Sequence, residues 1–475
     1  MVRENPIKFG TDGWRGIIAD DFTFDNVRIC ARAVADYLKE AALAEKGLVI
    51  GYDTRFASED FATAAAEVVA AADIRVHLCR AATPTPVISY SIVDLKAGGA
   101  IIITASHNPA AWNGFKIKSE NGASVSDEIT SLIEDKVSRL YGKDSPARIT
   151  QEEALKKGLV EYIDPLPSYI DHISKLVNLN EIRNSGLKVI IDSMYGAGSG
   201  YLKNLLNGGP AKIIEINSER NPLFPGIQPE PITANLGKLI ATITEQKASI
   251  GIATDGDADR LGIIDENGNF ITTLQVLSLL TYYLLEIRGE RGLIVKTINT
   301  SVVVDKLAEI YGVEVVEKPI GFKHIAPYLE DNALIGGEES GGYGFRGHIP
   351  ERDGILAALY FLDLMVKTGK TPSELLDDLF SLTGPHHYNR IDVHFPPDER
   401  ENIINRIENN FPEKINEIKV DQLNTIDGFK YIMTEGSWLL IRFSGTEPLL
   451  RIYAESDTPQ KVEELLQAGK KLAGV

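Results

Sequence analysis

Three times in this 475-residue chain, a run of small and β-branched residues breaks off in a polar tip. Gly99-Ala-Ile-Ile-Ile103 ends in Thr104-Ala-Ser-His-Asn-Pro109. Ala248-Ser-Ile-Gly-Ile-Ala-Thr254 ends in Asp255-Gly-Asp-Ala-Asp-Arg260. Ala333-Leu-Ile-Gly-Gly337 ends in Glu338-Glu-Ser-Gly-Gly342. Short apolar runs bounded by turn residues read as buried strands. Each is preceded by another strand-to-loop unit, at 49–55, 188–198 and 293–301. A unit repeated along a chain implies related domains stacked in series. α/β proteins place ligands at the ends of such strands, so the three tips are expected to meet in one cleft. After Thr383-Gly-Pro385 the pattern changes: strands at 389–394 and between 428 and 455 outnumber the helices at 399–410 and 459–473, which predicts a small antiparallel α+β domain.

The rest of the chain fills in around this frame. Helical periodicity is expected over 22–45, 58–72, 126–140, 164–177, 274–287, 302–311, 353–368 and from 372 to 381, with a rigid turn at Thr83-Pro-Thr-Pro86 and an extended loop over 221–235. The polar stretch from Ser145 to Glu161 marks a first boundary. Leu187 to Gly198 is a strand running into a Gly-rich turn, but it has neither the spacing of a dinucleotide fingerprint nor the Gly-Lys-Ser/Thr ending of a P-loop.

Charge and composition narrow the function. The net charge of −18 with no basic stripe argues against a nucleic-acid partner. No apolar run is long enough to span a membrane, and no secretory signal is visible. Cys30 and Cys79 sit in apolar-periodic segments and read as reduced core residues of a cytoplasmic protein. In a chain this acidic, cations inside Gly-rich loops carry information. Arg15 lies in Lys8-Phe-Gly-Thr-Asp-Gly-Trp-Arg-Gly16, and Lys116 follows Gly114-Phe115, which brings a cation back towards Ser106.

Each tip suggests a chemistry. At the first, a hydroxyl, Ser106, adjoins an imidazole, His107. At the second, Asp255, Asp257 and Asp259 offer three hard oxygen ligands. They repel one another unless a cation sits among them, and the set suits Mg²⁺, which keeps positions for phosphate oxygen and water. A calcium EF-hand is the rival, but its sixth position should be Gly and is Arg260 here. At the third, Glu338 and Ser340 supply acceptors of the kind sugar hydroxyls need. Near the C-terminus, Arg442-Phe-Ser-Gly-Thr-Glu-Pro448 gathers a guanidinium, two hydroxyls and a glycine, the makings of an anion nest.

These four loops, in this order, resemble the signature loops of the α-D-phosphohexomutase superfamily over essentially the whole chain. The resemblance implies an α/β fold: three related mixed-sheet α/β domains in series plus a C-terminal antiparallel α+β domain, around one central cleft. The expected domains are 1–155 (phosphoserine), 156–270 (metal-binding), 271–383 (sugar-binding) and 384–475 (phosphate-binding). By similarity, Ser106 carries a phosphoryl group. It passes to a hexose monophosphate, the resulting bisphosphate turns end for end, and its other phosphate returns to Ser106. One Mg²⁺ per active site is expected on Ser106, Asp255, Asp257 and Asp259, with hexose 1,6-bisphosphate as activator. Arg15, Lys116 and Arg260 would offset charge. Lys323, in Gly321-Phe-Lys323, would contact the substrate's phosphate or sugar, and Glu338 and Ser340 would hold sugar hydroxyls. Arg442, Ser444, Gly445 and Thr446 would hold the idle phosphate. One nest serving both orientations requires a mobile last domain.

Gly342 departs from the bacterial phosphomannomutase/phosphoglucomutase and phosphoglucosamine mutase groups, which place a His there that can act as general base. The loop resembles that of phosphoglucomutases, which favours glucose phosphate over mannose or glucosamine phosphate, with a phosphomannomutase or a dual-specificity phosphomannomutase/phosphoglucomutase as the alternative. It leaves His107, Lys116 and His324 as candidate bases. Lys116 is the expected one, on the premise that a lysine in a cationic site has a lowered pKa. A monomer or homodimer acting on hexose phosphate is expected. A Mg²⁺-dependent sugar phosphatase, which would release free phosphate, and a non-catalytic sugar-phosphate sensor, which would need neither Ser106 nor three carboxylates, are the readings from other classes.

Overall fold

The repeat is plain in the computed structural model, which describes residues 5–143, 145–409, 412–444 and 449–475. The first three sheets share one four-strand unit. In the first, Leu48–Tyr52 lies parallel between Val76–Cys79 and Ala100–Ile103, and Ala100–Ile103 pairs antiparallel with Trp112–Lys118. In the second, Lys188–Asp192 lies between Lys212–Ile216 and Ile250–Thr254, and the antiparallel return is Leu261–Ile264. In the third, Ile294–Thr297 lies between Val315–Lys318 and Ile335–Gly337, with Tyr343–Phe345 returning. The two strands of each repeat are therefore parallel neighbours, and their loops leave from the same end of the sheet. This brings Asp53 beside Thr104, Asp192 near Asp255, and Thr297 near Glu338. Central parallel strands are covered on both faces, and Leu48–Tyr52, Ala100–Ile103, Ile250–Thr254 and Ile335–Gly337 are buried throughout.

The second and third sheets are sealed by a single apolar core. Its centre is the helix Gly354–Thr368, buried continuously from Gly354 to Met365. A helix apolar on every side has to be enclosed on every side. It starts at Asp353, whose Oδ1 accepts from the backbone N–H groups of Ile355 and Leu356 at 2.9 Å each, a side-chain N-cap. The C-terminal domain is a six-stranded sheet in the order His387–His394, Leu449–Ser456, Trp438–Phe443, Phe429–Met433, Ile418–Asn424, Lys414–Ile415, antiparallel throughout, with the helix Pro459–Ala473 packed on it. The expected fold class is the one observed. Among the described residues no helix is long and apolar enough to cross a membrane.

Several elements differ from the sequence expectation. Thr83–Pro86 is not a bare turn before the strand: it opens the helix Thr85–Leu95, which carries Pro86 in its first turn, where the missing N–H costs nothing. The polar stretch after Ser145 contains the helix Gln151–Lys156 and the strand Val160–Ile163, and that strand pairs parallel with Val76–Cys79. The first sheet therefore runs past residue 155. Its half-exposed edge position explains the polar sequence. Lys212–Ile216, half-buried at the edge of the second sheet, and the helix Gly237–Gln246 carry no sharp signal and were not expected.

Candidate active site

The first and second tips meet directly. Ser106 is buried and sits at φ +51°, a left-handed conformation that L-residues avoid without support. Support comes from both sides. The Ser106 N–H donates to Thr104 Oγ1 at 2.8 Å, and Thr104 Oγ1 donates to Asp53 Oδ2 at 2.6 Å. Behind the loop lies Arg55, fully buried. Its Nη2 donates to the carbonyls of Ser106 and Asn108, both at 2.6 Å, and its Nη1 to those of Pro109 (2.9 Å) and Trp112 (3.1 Å). Ser106 Oγ is thereby aimed at Asp255, donating to Oδ2 at 2.7 Å, with His107 Nδ1 at 3.4 Å. The approach is close enough that a Cβ at Gly256 would lie 2.3 Å from the Ser106 carbonyl oxygen, so glycine is required there.

The three aspartates are buried, and one ligand oxygen from each lies within 4.8 Å of the others. Asp255 Oδ1 accepts from the N–H groups of Asp259 (3.0 Å) and Arg260 (3.1 Å). Asp257 Oδ2 accepts from Thr85 Oγ1 (2.6 Å) and Lys116 Nζ (2.8 Å). Asp259 Oδ2 accepts from Lys116 Nζ (3.2 Å) and is ion-paired with Arg352 Nη2 (2.9 Å). Asp257 Oδ1 and Asp259 Oδ1 are buried with no hydrogen-bond partner among the described residues. Each carboxylate thus has one oxygen fixed by protein donors, and two of the three leave the other bare, as a cation site of hard oxygens requires. Burial first, then the charges of Asp259 and Asp257, hold the Asp255 carboxyl well above the usual range. The residues fit a divalent metal.

Lys116 corrects an expectation. Its ammonium is buried against Asp12 (2.7 Å), Asp257 and Asp259, not among cations. Burial lowers its pKa, but those three carboxylates outweigh burial and raise it. The premise on which it was expected to be the base does not hold. Burial, followed by Arg260, Arg15, Lys116 and Arg55, instead pushes the His107 imidazole well below its ordinary value.

The third tip joins through Arg352, which the sequence reading missed, as it missed Asp12, Arg55, Lys118 and Glu351. Asp12 binds Lys116 and Arg352 Nη2 (2.6 Å), and Lys118 pairs with the buried Glu351. Arg352 Nη1 lies 3.6 Å from Glu338 Oε2. Glu338 is buried, which raises its pKa against the pull of Arg352 and Arg260. Ser340 Oγ is buried with no hydrogen-bond partner among the described residues. Glu339 turns away to the C-terminal domain, accepting from Tyr388 OH at 2.8 Å. The one signal that could have flagged this group is the charged triplet Glu351-Arg352-Asp353 set directly against an apolar helix.

Arg15 and Arg260 lie beside the nucleophile and aspartate loops, and the other expected residues lie further out. Arg15 Nη1 donates to Asn108 Oδ1 at 2.5 Å, and Arg260 Nη1 lies 3.4 Å from Glu230 Oε1. Lys323 pairs with Asp127 at 2.5 Å and lines a crevice with Thr11, Asp12 and Gly13. Arg442 Nε binds Asp427 Oδ1 at 2.8 Å, and Asp427 Oδ2 accepts from the N–H of Ile320 at 2.9 Å, beside the Gly321–Lys323 loop. Ser444 is buried, and its N–H donates to Leu449 O at 2.8 Å. Gly445 and Thr446 lie outside the described residues.

Comparison with known proteins shows the family. Residues 6–142, 167–268 and 273–382 match phosphoglucomutase/phosphomannomutase α/β/α domains I, II and III, and 403–469 match the C-terminal domain of the same family. A phosphoglucomutase/phosphomannomutase of Thermococcus kodakarensis is 32% identical over 98% of each chain. A Methanothermobacter thermautotrophicus protein assigned as a phosphoglucosamine mutase is 32% identical over 97% of this chain and 96% of its own. Among crystal structures, a Thermus thermophilus protein assigned as a phosphomannomutase superposes with a TM-score of 0.86 at 34% identity over 99% of both chains. The open form of a Paramecium phosphoglucomutase, 22% identical over 98% of this chain and 94% of its own, shares the fold with a TM-score of 0.85. The chain belongs to the phosphoglucomutase/phosphomannomutase family of the α-D-phosphohexomutase superfamily, and is a phosphomutase, an intramolecular phosphotransferase.

Proposed function

We propose that this enzyme interconverts the 1- and 6-phosphates of a hexose, glucose first, through a phosphoserine at Ser106 and a bound hexose 1,6-bisphosphate. The observation that carries the reading is the hydrogen bond from Ser106 Oγ to Asp255 inside the buried aspartate triad. Phosphoryl transfer asks for positioning and charge neutralisation more than for covalent help. Asp255, Asp257 and Asp259 would hold a Mg²⁺, which when bound neutralises phosphate charge. Arg55 and Thr104 fix the nucleophile. In the forward step the Ser106 Oγ–P bond breaks as a hexose hydroxyl oxygen bonds to phosphorus, and the hydroxyl proton is relayed by His107, whose Nδ1 contacts Oγ, to the departing Ser106 oxygen. In the return step the other phosphate of the bisphosphate is transferred to Ser106 Oγ, leaving the isomeric monophosphate.

Glu338 and Ser340 would accept and orient sugar hydroxyls, and Arg442 with the 444–446 loop would hold the idle phosphate. Gly342 supports glucose over mannose or glucosamine. The rotation of the C-terminal domain would release the Glu339–Tyr388 contact, and superimposable free and sugar-phosphate-bound structures would count against it. The deciding assay follows glucose, mannose and glucosamine 1-phosphates by phosphorus NMR, with Mg²⁺ and a trace of the matching bisphosphate. Preference for glucose supports the reading. Equal glucose and mannose rates mean a dual-specificity mutase. Free phosphate without isomer refutes the mutase in favour of a phosphatase.

A further inference from the structure

Gly342 and Arg352 act as a unit. Gly342 is not a turn glycine, since its φ is not positive, and its carbonyl accepts from the Glu338 N–H at 3.1 Å. What excludes a side chain is Arg352. A Cβ at 342 would lie 2.3 Å from Arg352 Cδ, 2.8 Å from Cγ and 3.4 Å from Cβ, so it would meet the whole stem and not a movable tip. The stem is threaded past Gly342 into a junction of four loops. Its Nη2 binds Asp12 (2.6 Å) of the first domain and Asp259 (2.9 Å) of the metal loop. Its Nη1 faces Glu338 (3.6 Å), its Nε binds Glu351 (3.1 Å), and its guanidinium lies 5.7 Å over the Phe322 ring. Arg352 is buried, and a planar fork is the one side chain able to meet carboxylates from three loops at once.

We propose that Arg352 is the positioning residue of the sugar loop, holding Glu338 in register with the metal loop, and that residue 342 is glycine in order to admit it. This rests on the reading of Glu338 as a sugar-hydroxyl acceptor. The space beside the sugar loop that a residue-342 side chain would claim is taken from below by a residue ten positions on. A cation there joins the sugar loop and the metal loop through one group.

The test is a double-mutant cycle read by calorimetric binding of glucose 6-phosphate to the full chain with Mg²⁺. Gly342→Ala keeps every charge and donor but displaces the arginine stem. Its Kd should rise about tenfold, and its melting temperature should fall modestly, as overpacking a buried site requires. Glu338→Gln should weaken binding similarly. The double variant should bind no worse than either single, because both act through the same carboxylate. Arg352→Lys, which keeps the charge but not the fork, should recover part of the affinity lost in Arg352→Met. Gly342→Ala binding like wild type, additive effects in the cycle, or Kd changes that simply track melting temperature would each overturn the proposal. Wild-type protein that neither binds nor isomerises hexose phosphate would overturn the functional reading, and this inference with it. Normal wild-type turnover with an unaffected Gly342→Ala overturns this inference alone.

Discussion

Arg55 is the place where a single substitution should do most damage to the nucleophile loop. In Arg55→Ala the loss has two parts. Asp53, whose Oδ2 lies 3.2 Å from Arg55 Nε, loses its cation. Breaking a buried pair costs about 3–5 kcal/mol when the survivor stays charged. The cost here sits at the low end, because burial already raises the Asp53 pKa against the pull of Arg55, and Thr104 and Ser58 still donate to it. The second part is the Ser106 carbonyl, buried under Gly256 and left without its donor, at about 1–3 kcal/mol. The carbonyls of Asn108 and Pro109 are nearer the surface and can find water. The sum is about 4–6 kcal/mol, comparable with the whole stability of a typical domain at about 5–15 kcal/mol. Arg55→Lys keeps the charge, reaches fewer of the four carbonyls, and should cost roughly half as much. Urea unfolding gives the stability, and phosphorus NMR of Ser106 after incubation with glucose 1,6-bisphosphate gives the loop geometry. Arg55→Lys with wild-type stability and a wild-type rate of phosphoserine formation would refute the reasoning, since the φ +51° conformation would then need no guanidinium behind it.

Three further outcomes are expected. Mg²⁺ at about a hundred times its Kd should stabilise the wild type by about 2.7 kcal/mol, seen as a rise in melting temperature. Asp257→Asn should abolish that rise, and an undiminished shift would remove the triad as the metal site. Gly256→Ala forces a Cβ against the Ser106 carbonyl and should cost about 1–3 kcal/mol by urea unfolding while slowing turnover; a neutral result would show that the two tips are not in fixed contact. Burial, then His348 and Lys175, push His172 down to about 4. Because the folded value lies below the unfolded one, stability is full above about pH 6.5 and falls as pH drops towards 4. The limiting slope is about 1.4 kcal/mol per pH unit, cut by about half for a half-buried ring. His172→Gln should flatten this slope, and an unchanged slope would place its origin elsewhere.

The fold was legible where the signal is local. A strand buried on both faces has to be continuously apolar, so Ala100–Ile103, Ile250–Thr254 and Ile335–Gly337 announce themselves, and their recurrence exposed the three-domain repeat. Elements at a sheet edge face water on one side and lose that signal: Val160–Ile163 and Lys212–Ile216 read as ordinary polar chain. Thr85–Leu95 was hidden differently. Its prolines and β-branched residues argue for a turn and a strand, and only its packing against the first sheet and the helix Leu166–Leu176 makes it a helix.

The site divides along the same line, for a chemical reason. A cation site needs carboxylates at short, alternating spacing, and a serine presented to a ligand sits at a strand end, so Ser106 and Asp255–Asp259 each lie in one short loop and could be read. The groups that hold these tips together cannot be contiguous with them, because their task is to join separate loops, within one domain or across two. Arg55 lies 51 residues before the serine whose carbonyl it holds, and Arg352 lies 340 residues after the aspartate it binds. In sequence each is one more arginine. Lys116 shows the converse error: its proximity to the serine was legible, but its electrostatics were not. Whether it sits among cations or anions is decided by Asp12 and the second domain, which only the fold brings to it. The sign of a pKa shift is therefore among the last properties of such a site to be readable from the chain alone.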